Sequence, residues 1–121
     1  MTTTQTVSHT MTIGGASAPS DAVFGVINPA TGEVFDEAPD CTRAQLEAAI
    51  GPKTVALAQY FTWDEGVLPV EETAAVAHAH GLPLLVDAAA TSRPLDVFRM
   101  VAQSGDLVSF GGKYFGGPSA T

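Results

Sequence analysis

The chain has 121 residues and a formal net charge of −8, with 45% hydrophobic and 15% charged residues. This composition is typical of a folded globular protein, and the length suits one domain of ordinary size. Lys and Arg together number only five, which argues against a basic patch for nucleic acid. No apolar run approaches the roughly 20 residues of a membrane span, and the N-terminus lacks the pattern of a secretory signal. We therefore expect a cytoplasmic protein with no membrane partner.

The N-terminal part of the chain contains a leader and a predicted hairpin. Residues 1–22 are mostly Thr, Ser, Gly and Ala with little periodicity, which predicts a flexible leader. Residues 23–27 predict a strand, residues 28–32 a turn, and residues 33–35 the returning strand.

A short helix is predicted after the hairpin. Thr42 is followed three residues later by Gln45, the spacing of a capping box, and Gly51 begins a Gly-Pro pair that stops the helix. Beyond this point the sequence pattern changes. We therefore expect a boundary between residues 23–50 and residues 51–121.

The second part of the chain alternates between strand and helix patterns. Apolar runs at residues 54–60, 82–86 and 107–110 predict three strands, and helices are predicted to begin near Pro69 and Pro94. The order βαβαβ predicts parallel strands joined by right-handed crossovers. The expected fold class is thus α/β, a partial parallel sheet preceded by a β-hairpin and a short helix.

Two residues whose side chains could take part in chemistry follow strands of this predicted sheet. Asp87 comes directly after the second strand, and Lys113 comes shortly after the third, with glycines on both sides. Ligands of open parallel sheets bind beyond the carboxyl ends of the strands, so neighbouring strands would bring the carboxylate and the amine to one crevice. Glycines allow unusual backbone angles and close approach of a planar ligand.

This pair of residues fits a pyridoxal phosphate site. A lysine amine can form a Schiff base with a carbonyl, and a carboxylate can keep a ring nitrogen protonated. The alternative is that Asp87 caps a loop and Lys113 is a solvated lysine in a turn. From the spacing alone both interpretations stay open.

No metal site is expected. Cys41 is the single cysteine, which excludes an internal disulfide and a cysteine-based zinc site. His78 and His80 are two residues apart and therefore lie on different faces of the predicted helix, in the last turn, where a positive charge suits the helix dipole.

Two motifs carry a resemblance to a known family. They are LLVDAAA, at residues 84–90, and DLVSFGGKYFGGP, at residues 106–118. With them, residues 54–121 resemble the central part of the large domain of fold-type I pyridoxal-phosphate enzymes, in particular the L-seryl-tRNA selenium transferase-like and class V aminotransferase-like group.

The resemblance implies roles for three residues. Asp87 would pair with the pyridine nitrogen, Lys113 would form the Schiff base, and Ala89 would lie against the cofactor ring. The sequence departs from the family at Gly105, where relatives read Gly-Ala-Asp and this chain reads Ser-Gly-Asp. The phosphate-anchoring loop of the family, its last large-domain strand and its C-terminal domain also have no counterpart in this sequence.

A second resemblance concerns residues 24–50, which contain the sequence INPATGEV. They are similar to the N-terminal arm of NAD(P)-dependent aldehyde dehydrogenases, a structural segment that precedes the dinucleotide fold. Cys41 does not match the nucleophile of that family, so no catalytic role is implied.

Three interpretations of function follow. In the first, the chain is a fragment or fusion product that carries the Asp/Lys pair of a pyridoxal-phosphate-dependent lyase or transferase, acts on an amino-acid-type substrate if active, and is inactive alone. In the second it is an aldehyde-dehydrogenase-related fragment, of the oxidoreductases. In the third it is a non-catalytic α/β interaction module. Open sheet edges and an uncovered apolar face predict a homo-oligomer or aggregation.

The change of pattern near Gly51 predicts independent behaviour of the two parts. Limited proteolysis should cut first within residues 1–22 or near Gly51, while residues 54–110 persist, because packed backbone resists proteases. Mass spectrometry of the time course identifies the sites. Equal protection along the chain, with a single cooperative melting transition, would contradict this expectation.

Overall fold

The computed structural model describes residues 9–20, 22–61, 68–90 and 94–112. The described residues divide into two compact units, of which the first ends at Ala49 and the second begins at Ile50. A parallel three-stranded sheet with intervening helices follows antiparallel hairpins, which confirms the predicted α/β class. Within the described part of the chain, no helix has both the length and the apolar character needed to cross a membrane.

The first unit contains two hairpins and a helix. Its elements are β1 (Met11–Ile13), β2 (Ala16–Ala18), β3 (Val23–Ile27), β4 (Val34–Pro39) and α1 (Arg43–Ala49). Strands β1 and β2 pair antiparallel, as do β3 and β4. The second hairpin and the helix agree with the prediction from sequence.

The β1–β2 hairpin differs from that prediction, which assigned no strand to residues 1–22. Gly14 and Gly15 form its two-residue turn with φ of 60° and 82°, the left-handed conformation that a tight hairpin of this kind requires. The flanking strands have only three residues each. Strand β1 alternates apolar and polar residues, but over a length too short for a strand to be recognised, and β2 contains only Ala and Ser. The pair of glycines is the feature of the sequence that could have indicated this turn.

The capping box at the start of α1 is confirmed. The Gln45 backbone N–H donates to Thr42 Oγ1 at 3.2 Å, and the Thr42 N–H donates to Gln45 Oε1 at 3.0 Å. These reciprocal bonds satisfy donors that have no partner within the first helical turn.

The second unit is a parallel sheet with two helices. Its elements are β5 (Leu57–Tyr60), α2 (Val70–Ala79), β6 (Leu84–Ala88), α3 (Leu95–Ser104) and β7 (Leu107–Phe110). The strand order is β5-β6-β7, and both neighbouring pairs are parallel. Strand β6 is therefore central.

The central strand begins two residues later than predicted from sequence, at Leu84 instead of Leu82. Leu82 belongs to the end of α2, because its N–H donates to the Ala77 carbonyl at 2.9 Å. Gly81 makes this possible with a φ of 68°, and its own N–H donates to the His78 carbonyl at 3.0 Å. This is the Schellman pattern of helix termination.

One face of the sheet forms the core of this unit. In β6, Leu84, Val86 and Ala88 are buried, whereas the alternate residues are not. The buried side chains join residues of both helices in one cluster: Phe61, Val70, Ala74, Ala77, Leu84, Val86, Ala88 and Val101. Both helices therefore cover the same face of the sheet.

A reciprocal contact between Leu84 and Asp106 joins the start of β6 to the start of β7. The Leu84 N–H donates to Asp106 Oδ2 at 2.8 Å, and the Asp106 N–H donates to the Leu84 carbonyl at 2.9 Å. His78 Nε2, in the last turn of α2, lies 2.9 Å from the same carboxylate oxygen. The bond from Leu84 and then that from His78 hold the pKa of Asp106 below its ordinary value of 3.8. We call this contact the Leu84–Asp106 clamp.

Gly105, between α3 and the clamp, lies in a crowded position. A Cβ atom there would be 2.8 Å from Val86 Cγ2 and 2.9 Å from Val108 Cγ2. The lack of space for a side chain therefore requires glycine at this position. The backbone conformation does not, since φ is −87°. The sequence departure noted at this residue corresponds to close packing of the turn against two strands.

The Gly105→Ala variant should be less stable by about 1–3 kcal/mol, because the added methyl group must displace the buried Val86 and the partly buried Val108. Chemical denaturation monitored by circular dichroism measures the difference. Gly51→Ala is the control, since a Cβ at that position meets nothing within 4 Å. An equal stability of both variants would show that the sheet accommodates the methyl group.

The Asp106→Asn variant should lower the midpoint of thermal unfolding at pH 7. The pKa of Asp106 is lowered in the folded protein, so the ionised carboxylate contributes stability above pH 3.8, and this contribution is lost as the pH falls through the lowered pKa. The two proteins should therefore converge in acid. Melting curves from pH 7 to pH 2 test this, and a difference that stays constant over that range would contradict it.

Candidate functional site

The sheet face opposite the helices forms a shallow concavity, which we call the open face. Alternation along the strands places six residues there, two from each strand: Ala58, Tyr60, Leu85, Asp87, Leu107 and Ser109. The concavity has a volume of about 440 Å³ and is lined by these residues together with Gln59 and Val86. Apolar side chains thus surround a few polar groups, as in many ligand sites.

Asp87 lies within the central strand, on the open face. It is the fourth of the five residues of β6, which corrects the prediction that it follows the strand. The predicted strand began and ended two residues too early, because Leu82 was assigned to the strand although it belongs to the end of α2. In the register of the sheet, Asp87 has Tyr60 on one side and Ser109 on the other.

The two oxygens of the Asp87 carboxylate have different surroundings. Oδ1 accepts a hydrogen bond from Ser109 Oγ at 2.9 Å and another from the Ala89 backbone N–H at 3.0 Å. Among the residues that the structure describes, no donor reaches Oδ2. Because the side chain is exposed, this second oxygen is available to a cationic or N–H-bearing ligand in the concavity.

Ala89 lies in the turn after β6 and is half-buried. Its backbone N–H contacts the carboxylate of Asp87, so the structure places it beside one of the two other predicted site residues. That its side chain lies against a cofactor ring stays a prediction.

Lys113 lies outside the described residues, and its distance from Asp87 stays a prediction. That prediction requires the strands before Asp87 and Lys113 to be neighbours. Strands β6 and β7 are parallel neighbours, and their carboxyl ends share one edge of the sheet. At Gly112, a Cβ would meet nothing within 4 Å, and φ is not in the left-handed region. Neither crowding nor backbone conformation within the described chain therefore requires this glycine.

Sequence reasoning missed Ser109 and Tyr60 as members of the site. Each lies directly opposite Asp87 in a parallel pair of strands. Alternation within each strand could have assigned them to a common face, but cross-strand register depends on where each strand begins. By the same alternation, the Gln59 side chain lies on the helix-covered face: its Nε2 donates to the Leu68 carbonyl at 2.6 Å, while Oε1 is buried and has no partner in the described part of the chain.

The arrangement on the open face favours binding of an organic cation over a metal ion. A single carboxylate with one oxygen already bound offers a poor site for a divalent cation, which needs several ligands. Across the described ranges, no group of three or more His, Cys, Asp or Glu side chains could hold a metal ion. One oriented carboxylate oxygen beside apolar and aromatic surface instead suits a planar ring that carries an N–H group.

Comparison with known proteins gives one partial similarity. The chain is 40% identical over 83 residues to D-glucosaminate-6-phosphate ammonia lyase of Salmonella typhimurium (strain 14028s / SGSC 2262), and the match covers 65% of this chain. The chain spans only about a fifth of that relative's length, 22%. No protein family profile matches the chain, and no solved structure does. The resemblance of residues 24–50 to aldehyde dehydrogenases stays a prediction.

Proposed function

We propose that the second unit carries part of a pyridoxal phosphate site of a lyase-type enzyme acting on an amino-acid-type small molecule. The observation that supports this most directly is the Asp87 carboxylate, which lies on the open face with one oxygen bound and the other available. The partial similarity to an ammonia lyase supports the reaction class.

The open face fits a pyridine ring in size and chemistry. Its volume of about 440 Å³ lies within the range of about 300–1,000 Å³ usual for ligand pockets. Tyr60, Leu85 and Leu107 provide apolar surface around Asp87. When bound, pyridoxal phosphate supplies an electron sink that stabilises negative charge next to the substrate amine.

Asp87 would hold the proton on the ring nitrogen. The negative charge of its available oxygen favours the protonated ring, since an opposite charge within hydrogen-bonding distance stabilises the charged form. A ring bound over the apolar neighbours would exclude water from this contact, which strengthens the interaction. The role of Asp87 is therefore to bind the ring and to keep the proton at one atom.

Lys113 would provide the amine that attaches the cofactor carbonyl. It follows the end of β7 by three residues, and β7 is the neighbour of the strand that carries Asp87. A short connection from that strand end can bring the amine to the edge of the open face. This assignment rests on the sequence motif and on strand order.

Addition of pyridoxal phosphate should produce a visible absorption band, and borohydride reduction should trap the cofactor on Lys113. The Asp87→Asn variant should bind at least about tenfold more weakly, because a hydrogen bond to a charged group contributes about 1.5–3 kcal/mol. Absorption titration gives the dissociation constants, and peptide mapping after reduction gives the modified lysine.

Two controls separate a specific site from general reaction with amines. Asp96→Asn removes the same charge from an exposed position on α3 and should leave binding unchanged. Lys53, which is exposed in the same unit, reports unselective labelling. If Lys53 is modified as readily as Lys113, and Asp87→Asn binds as the unchanged protein does, the proposed function is wrong.

A further inference from the structure

The hydroxyl of Ser109 distinguishes the two oxygens of the Asp87 carboxylate. Ser109 and Asp87 are directly opposite each other in the β6–β7 register, and alternation places both on the open face. Ser109 Oγ donates to Oδ1 at 2.9 Å. The partner strand therefore determines how this carboxylate is oriented.

A second donor acts on the same oxygen. The Ala89 N–H, from the turn at the end of β6, lies 3.0 Å from Oδ1. The terminal torsion of an aspartate side chain is broad, so the plane of an unrestrained carboxylate takes many orientations. One donor from the main chain and one from the neighbouring strand restrict this rotation and occupy the acceptor positions of Oδ1.

We propose that Ser109 is a positioning residue, which fixes the Asp87 carboxylate so that Oδ2 alone is presented to a ligand on the open face. Where the ligand is the protonated ring of pyridoxal phosphate, this inference rests on the proposed function. The fixing of the carboxylate itself does not depend on any ligand.

Direct contact between Ser109 and the ligand is a less suitable role. A serine hydroxyl has one hydrogen to donate, and in the described structure that hydrogen is directed to Asp87. Towards a ligand Ser109 could therefore only accept. Ser109 therefore contributes to binding through Asp87. Because the orientation of Asp87 is fixed before the ligand arrives, binding costs less conformational entropy.

The test compares Ser109→Ala, which removes the donor, with Ser109→Thr, which retains it on a side chain suited to a strand. In the absence of ligand, scalar couplings and the carboxyl ¹³C signal of Asp87 should report one side-chain conformation in the unchanged protein and in Ser109→Thr. In Ser109→Ala they should report averaging. Melting temperatures should agree among the three proteins, because the Ser109 side chain is exposed.

Binding of pyridoxal phosphate provides the second measurement. Ser109→Ala should bind about three- to tenfold more weakly, because the ligand must then immobilise the Asp87 side chain itself, while Ser109→Thr should stay within about twofold of the unchanged protein. In an Asp87→Asn background, Ser109→Ala should have little further effect, since the residue acts through Asp87.

The outcomes separate the two proposals. If the unchanged protein binds no pyridoxal phosphate but Asp87 has one conformation that Ser109→Ala abolishes, the proposed function fails and the positioning role stands. If Asp87 is equally averaged, or equally fixed, with and without the Ser109 hydroxyl, the positioning role is overturned whatever the binding result. An equal loss of binding in the Asp87→Asn background would also overturn it.

Discussion

The Leu84–Asp106 clamp sets the register on which the open face depends. Both backbone groups of Leu84 bind Asp106, one to the side chain and one to the main chain, so the starts of β6 and β7 are fixed relative to each other. Counting along the strands, this places Asp87 opposite Ser109. A slip of one residue would place Val108 or Phe110 opposite Asp87 and would turn every side chain of β7 to the other face of the sheet, so that Ser109 would no longer lie on the open face. A contact at one end of the strands thus determines chemistry at the other.

Strand β6 serves both faces of the sheet because its side chains alternate. The buried set packs against the helices, while Asp87 projects from the opposite side into the concavity. The packing is tight in the turn that precedes β7, where Gly105 leaves room for Val86 and Val108. Stability and the site therefore depend on the same few residues of one strand.

The sequence was sufficient to identify most elements but not their alignment. The capping box of Thr42 and Gln45 and the apolar runs of the sheet were readable because they are local. The start of β6 was misplaced, since Leu82 satisfies its backbone through the end of α2, a local cap at Gly81 that apolar character alone does not reveal. Ser109 was missed for a different reason: its partner is 22 positions away, and pairing across strands is not encoded in either strand alone.

The order of strands has a consequence for how the open face could be covered. Chain order and spatial order agree in β5-β6-β7, and both crossover helices lie on one face. Crossovers keep a constant hand, so a strand added beyond β7 would bring its helix to the same side again. A strand reached from β7 but placed beyond β5 would reverse the direction of winding and bring its helix over Asp87. Which edge of the sheet is extended therefore decides whether this carboxylate faces solvent or protein.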